Sequence, residues 1–169
     1  MNNRKAGIIM KYNSKEICYF GLNAGKSRWE KTERLGQIAY RRYNKNLQRI
    51  LPKMPKRYQS FFKDIGKLGD GDVSKITYSV SPQKDFIEIG VTNCNNGKLY
   101  ILKFATIRKC NLNYPSDEPI YYDKTSPTLG FWFASELGMT RDGWFIYEII
   151  FSSGATLFIE FKKFSYKTK

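Results

Sequence analysis

Histidine is absent from all 169 residues. Imidazole is the usual general base near neutral pH and the commonest metal ligand. Its absence excludes Ser-His-Asp and Cys-His catalysis within one chain and argues against zinc hydrolase chemistry. Carboxylate–magnesium chemistry or a lysine-based site remain as catalytic options. Cysteine is scarce: Cys18, Cys94 and Cys110 are an odd number, with no two close together. That pattern supports neither a disulfide framework nor a zinc site and fits reduced thiols in a cytoplasmic protein. Long apolar runs are missing as well. No stretch approaches the roughly 18 residues of a membrane-spanning helix, so no membrane partner is expected. The stretch Ala6–Met10 is short for the core of a secretion signal, and Lys11 interrupts it. It reads as a strand. No cofactor and no metal are expected.

Acidic residues are few: 15 Asp and Glu stand against 29 Lys and Arg, a net charge of +14. What the chain does have is apolar surface. Hydrophobic residues make up 41% and aromatics 16%, enough to offset the entropy of ordering one domain. There is no internal repeat, low-complexity tract or linker, so residues 1–169 read as a single domain. The charge is concentrated. Residues 26–57 hold eleven Lys or Arg against Glu30 and Glu33, and residues 1–25 carry +3, leaving +2 for everything that follows. A local excess of one sign is what a contact surface looks like.

Periodicity divides the chain. Ala6–Tyr12 and Glu16–Phe20 read as short strands. Ser27-Arg28-Trp29-Glu30 fits a capping box, opening a helix that should run to about Leu51, where Pro52 ends it. At 100° per residue, Trp29, Leu35, Ala39, Tyr43, Leu47 and Ile50 fall on one side and Lys31, Arg34, Arg41, Lys45 and Arg49 on the other. Pro55 opens a second, short helix carrying Tyr58, Phe61, Phe62 and Ile65, with Gly66 as its stop. From Val73 onward the period changes to two. Strands are expected around Ile76–Val80, Ile87–Val91, Leu99–Ile107, Trp144–Phe151 and Thr156–Phe164, with Asn95-Asn96-Gly97 and Ser152-Ser153-Gly154-Ala155 as hairpin turns. Asn111–Pro127 reads as a long loop with an extended piece at Ile120–Tyr122, and residues 128–138 fit helix or strand. Several strands are apolar on both faces, which requires cover on both sides. The expectation is an α+β fold: a long amphipathic basic helix plus a short helix packed on an antiparallel, partly two-layered β-sheet.

Three constellations could carry chemistry. Gly21-Leu22-Asn23-Ala24-Gly25-Lys26-Ser27 stands where a phosphate-binding loop belongs, between strand and helix. Such a loop needs four residues between its glycines, and here three intervene. No specific ATP or GTP site is expected there, although a helix start beside Lys26 attracts anions. Glu160-Phe161-Lys162 has the E-x-K form of a class of magnesium nucleases. With a turn at Ser153-Gly154, Glu160 would pair with Tyr147 and Lys162 with Phe145, placing Asp142 on the order of 10–17 Å away. Glu148 and Glu160 would then point to opposite faces, and a metal shell needs convergent carboxylates.

The third is the basic helix with its flanks: Lys26, Arg28, Lys31, Arg34, Arg41, Arg42, Lys45, Arg49, Lys53, Lys56 and Arg57. A solvated helix face normally mixes both signs, and this one is almost purely cationic. It suits an acidic protein or protein–nucleic-acid complex, or nucleic acid directly. RNA-binding signatures and helix-turn-helix spacing are absent, and the alternating Tyr and Phe are more simply core.

The C-terminal hundred residues resemble small cytoplasmic proteins of low-G+C Gram-positive bacteria, some of them immunity proteins encoded beside polymorphic toxins. The resemblance rests on Leu68-Gly69-Asp70-Gly71-Asp72-Val73, on Tyr147-Glu148-Ile149-Ile150-Phe151-Ser152-Ser153-Gly154, and on Ile159-Glu160-Phe161-Lys162 with Phe164-Ser165-Tyr166. Such relatives often carry histidine where Gly69 stands. The resemblance implies a non-enzymatic inhibitor that plugs a partner's active site. The Lys, Asn, Tyr and Phe bias suits an AT-rich bacterial or phage genome, and phage inhibitors of host defence nucleases share this size and lack of catalytic residues. The expected function is therefore non-catalytic inhibition of a macromolecular partner through the basic helix face. Direct DNA or RNA binding is the alternative, and a magnesium-dependent nuclease comes third.

Overall fold

Twenty-five residues without an internal proline form the helix α1, Lys26–Ile50. Pro52 then falls in a 3-10 turn, Leu51–Lys53, because proline lacks the N–H that an α-helix would need there. Pro55 caps the short helix α2, Lys56–Lys63. The computed structural model describes residues 26–64, 68–79, 81, 85–113 and 129–169, with the backbone alone for 26–32. The expected strands Ala6–Tyr12 and Glu16–Phe20, the glycine loop before Lys26, Ile65, Gly66 and the piece at Ile120–Tyr122 lie outside the described residues. So do the side chains of the expected cap, Ser27 and Glu30; the helix itself begins one residue ahead of that cap.

Among the described residues six strands follow: β1 Gly71–Ser79, β2 Phe86–Thr92, β3 Leu99–Asn113, β4 Phe131–Met139, β5 Phe145–Phe151 and β6 Thr156–Thr168. The fold is α+β, with a long and a short helix on an antiparallel sheet. The sheet closes on itself as a barrel in the order β1-β2-β3-β6-β5-β4. The two expected layers are thus opposite walls of one barrel. Of the ambiguous residues 128–138, those from Phe131 onward lie in β4. β3 runs on through Asn113 rather than ending at Ile107, because Cys110, Asn111, Leu112 and Asn113 pair with Ile159, Phe158, Leu157 and Thr156.

The core follows from strand alternation. Ile87, Ile89 and Val91 of β2, Leu102 and Phe104 of β3, and Ile149, Leu157, Ile159 and Phe161 of β5 and β6 are all at most 2% exposed. Burying each such side chain contributes about 1.5–3 kcal/mol. One end of the barrel is filled by α2. Phe62 meets Phe164 at 4.6 Å and Tyr147 at 5.4 Å between ring centroids, and Phe104 meets Phe161 at 5.0 Å and Phe164 at 5.1 Å.

Closure is thin at one seam. β1 and β4 pair through Gly71–Trp132 and Asp72–Phe131 alone. Beyond those pairs β4 would present unpaired backbone, which α1 covers: the Leu137 N–H donates to the buried Tyr43 hydroxyl at 2.9 Å. Covering an edge with a helix is a standard way of silencing it. Burial also pushes the Tyr43 hydroxyl well above its ordinary pKa, so it stays protonated. Gly71 is required at the seam by close approach. A Cβ there would sit 2.7 Å from Val91 Cγ1 and 2.8 Å from the Leu68 carbonyl oxygen.

Two variants test this account of closure. Tyr43→Phe should cost about 1–3 kcal/mol, because it leaves a buried N–H unpaired. Gly71→Ala should cost about 1–3 kcal/mol by overpacking. Urea unfolding should show a lower midpoint with unchanged slope in both; wild-type midpoints would contradict the seam as described.

Candidate interaction surface

The sequence places the cations of α1 on a stripe opposite its apolar side, and packing leaves that stripe open. Ala39, Tyr43, Leu47 and Ile50 are buried against the barrel, while Arg34, Arg41, Arg42, Lys45 and Arg49 are exposed. Lys53 in the 3-10 turn and Lys56 and Arg57 of α2 continue the exposed cationic surface. Lys26, Arg28 and Lys31 lie on the same helix, and their side chains are outside the described residues. Among the described residues, Arg34, Arg41, Arg42, Lys45, Arg49, Lys53, Lys56 and Arg57 have no carboxylate partner; the ion pairs there both belong to Arg108.

One expectation for this helix is corrected. By helical angle Leu35 belongs to the apolar side, yet it is 48% exposed. Ala39 is the first buried residue among the described side chains of α1, and Leu35, one turn earlier, stays half open. Ile38 is 38% exposed and Tyr40 56%. The exposed surface of α1 therefore mixes arginine with large apolar side chains. That combination is characteristic of the centres of protein–protein contacts, where Arg and Tyr are enriched.

The carboxylates behave differently from the sequence estimate. The β5–β6 turn contains Ser152, Ser153 and Gly154, closed by the Phe151 N–H donating to the Ala155 carbonyl at 2.9 Å, with Gly154 at φ +79°. A three-residue loop with glycine in the left-handed position shifts the register by one relative to a turn at Ser153-Gly154. Glu160 consequently pairs with Ile146 instead of Tyr147, and Phe161 instead of Lys162 pairs with Phe145. One step of register moves a side chain to the other face, so Glu148 and Glu160 share a face rather than opposing each other. Glu136 pairs directly with Glu148 and joins them. This is the face away from the barrel core, and it is covered: Glu136, Glu148, Glu160 and Ile150 are all at most 9% exposed.

Asp142 also comes much closer to Glu160 than strand rise suggested. The Arg108 guanidinium donates to both carboxylates, with a further contact of 3.4 Å to Asp142. The bend that carries Arg108 there is a register shift in β3 between Ile107 and Lys109. Hydrogen bonding from Arg108 holds the Asp142 carboxyl down at about 2. Lys162, the lysine of the E-x-K tripeptide, turns away and donates to the Gly143 carbonyl at 2.8 Å. The carboxylates thus converge on a guanidinium. Among the described residues, no cluster of three or more Cys, Asp or Glu side chains has the geometry to hold a metal ion. Arg108 had no signal in the sequence: it lies past the expected end of its strand, and its partners are 34 and 52 residues away.

No protein-family profile matches this chain, and no curated protein matches it by sequence. Among the described residues, no helix is long and apolar enough to cross a membrane.

Burial, and then the charge of Glu136, raises Glu148 from 4.5 to about 7. A carboxyl that binds its proton more tightly when folded stabilises the fold below its unfolded pKa and loses that contribution as pH rises through the folded one. Stability should therefore fall between about pH 4.5 and 7. Glu148→Gln should flatten that slope and raise stability at pH 8 by about 1–3 kcal/mol. Denaturant midpoints measured across this range would contradict the description if wild type and variant kept the same pH dependence.

Proposed function

We propose that this protein is a non-catalytic, cytoplasmic inhibitor that lays the exposed side of α1 against an acidic surface of a macromolecular partner, in the manner of toxin-immunity or phage anti-defence proteins. The observation that carries the reading is the composition of that surface. Five exposed cations of α1, none with a carboxylate partner among the described residues, stand beside exposed Leu35, Ile38 and Tyr40. Unpaired arginines speed association with an acidic partner. The apolar side chains supply contact area that a polyphosphate backbone would not use. The free thiols Cys94 and Cys110 are in keeping with a reducing compartment. The capture of Asp142 and Glu160 by Arg108 weighs against the nuclease reading, since those carboxylates are already engaged.

A photo-crosslinker in place of Gln37, exposed on α1, tests this in the producing cell. The expected adduct is one protein, lost when Arg34, Arg41, Lys45 and Arg49 are all changed to Glu and reduced by Ile38→Asp. The purified adduct partner should lose its activity on stoichiometric addition of this protein. Exposed reversals should cost under about 0.5 kcal/mol each in stability, so loss of folding is not the expected cause. A nucleic-acid adduct, with affinity falling as the power of about −0.9 in salt per phosphate contacted, would replace this reading with direct nucleic-acid binding. A fourfold reversal that changes neither would remove α1 as the contact surface.

A further inference from the structure

A groove at the start of α2 shares Arg57 with the cationic surface described above and gathers further cations from residues far apart in sequence. At Thr106 the backbone of β3 takes φ +56°, rare for a β-branched residue. β6 bends at the same level: Phe161 and Phe164 both reach the core, so Lys162 and Lys163 between them both face out. Lys163 pairs across the strands with Ala105, and Ser165 with Lys103. Between this bend and the start of α2 runs an open groove of about 330 Å³. That is at the lower end of the roughly 300–1,000 Å³ of small-ligand sites.

Among the described residues, the walls of the groove carry Arg57, Lys103, Lys162 and Lys163 and no carboxylate. Its apolar floor includes Met54, Ala105 and the rings of Tyr58, Phe145 and Phe164. Three of the four cations are held in place by aromatic rings rather than by anions. Lys103 stands 3.9 Å from the centre of the Phe86 ring, Arg57 4.6 Å from that of Tyr58 and Lys162 4.8 Å from that of Trp144. Such contacts position a cation while leaving its charge uncompensated. None of the four makes an ion pair among the described residues. A ligand matching this groove has a flat apolar part for the floor and more than one negative charge for the walls. An inorganic anion leaves the floor unused, and an uncharged ring leaves the cations unanswered.

We propose that the groove binds a nucleoside phosphate, free or as one unit of a single strand, with the base against the Tyr58 side of the floor and the phosphate between Lys103 and Lys163. Base stacking on an aromatic ring combined with a cationic track is how single strands are held without sequence readout. The site is separate from the stripe Arg34–Arg49 and stands independently of the role given to α1.

The test uses the full chain and a fluorescein-labelled 12-nucleotide single strand, DNA and RNA, in anisotropy titrations, with AMP, ADP and pyrophosphate as competitors. Lys103→Glu with Lys163→Glu should weaken binding by about tenfold or more, and Tyr58→Leu by about tenfold, the loss expected when one base stack is removed. Tyr58→Phe should keep wild-type affinity, because it retains the ring, and Arg34→Glu with Arg41→Glu should leave the groove's affinity unchanged. If AMP or ADP binds as tightly as the strand per site, the ligand is a free nucleotide; if the strand binds at least tenfold tighter, it is a strand. Either result supports the groove. Pyrophosphate competing as well as ADP would overturn it by showing no use of the floor. So would folded Lys103 and Lys163 variants that bind like wild type, or loss of binding in the α1 variants alone. Failure here leaves the α1 crosslink unaffected, and failure of that crosslink leaves these titrations unaffected.

Discussion

A barrel has to close, and this one closes through two residue pairs between β1 and β4. The rest of the structure depends on how that shortfall is met. Gly71 lets the strands approach where a side chain would collide with Val91 and the Leu68 carbonyl. Past the seam, the Tyr43 hydroxyl takes the place of a missing strand by accepting the Leu137 N–H. That hydrogen bond, buried and in a medium where an unpaired N–H costs more than a paired one gains, sets the register of α1 along β4. The register in turn decides which turns of α1 are buried. Tyr43, Leu47 and Ile50 are, and Leu35, Ile38 and Tyr40 are not.

Charge is sorted by the same architecture. The outer face of β4, β5 and β6 gathers Glu136, Glu148 and Glu160 under cover, and Arg108 answers Glu160. A buried carboxylate is tolerable only when it is paired or protonated, and the two solutions appear side by side: a guanidinium for Glu160 and a raised affinity for the proton at Glu148. The described side chains of Arg34, Arg41, Arg42, Lys45, Arg49, Lys56 and Arg57 are exposed and have no such partner among the described residues. A surface of one sign raises the local concentration of opposite charge around it.

The alternation of β2 and β3, the prolines at 52 and 55 and the asparagine-glycine turn at Asn96-Gly97 are local signals, and they locate α1, α2 and most strands from the chain alone. So does the cationic stripe, which needs only the 3.6-residue period. Local signals fail where two elements must be compared. Whether the Ser152–Ala155 turn holds two residues or three is not written in its composition, yet that one residue decides that Glu148 and Glu160 share a face. Leu35 fits the apolar stripe by angle, and only the packing of α1 leaves it exposed.

The sequence by itself determined the α+β class, the single amphipathic helix with its one-sided charge, and the exclusion of imidazole chemistry, because each follows from residue type or from a period within one element. Tertiary structure alone decided that the sheet closes into a barrel, that Asp142 and Glu160 meet on Arg108, and that Lys103, Lys163 and Arg57 line one groove. These depend on register between strands and on bends at Thr106 and Lys162-Lys163. Register is fixed by the sum of many weak cross-strand contacts, and no single residue carries that sum.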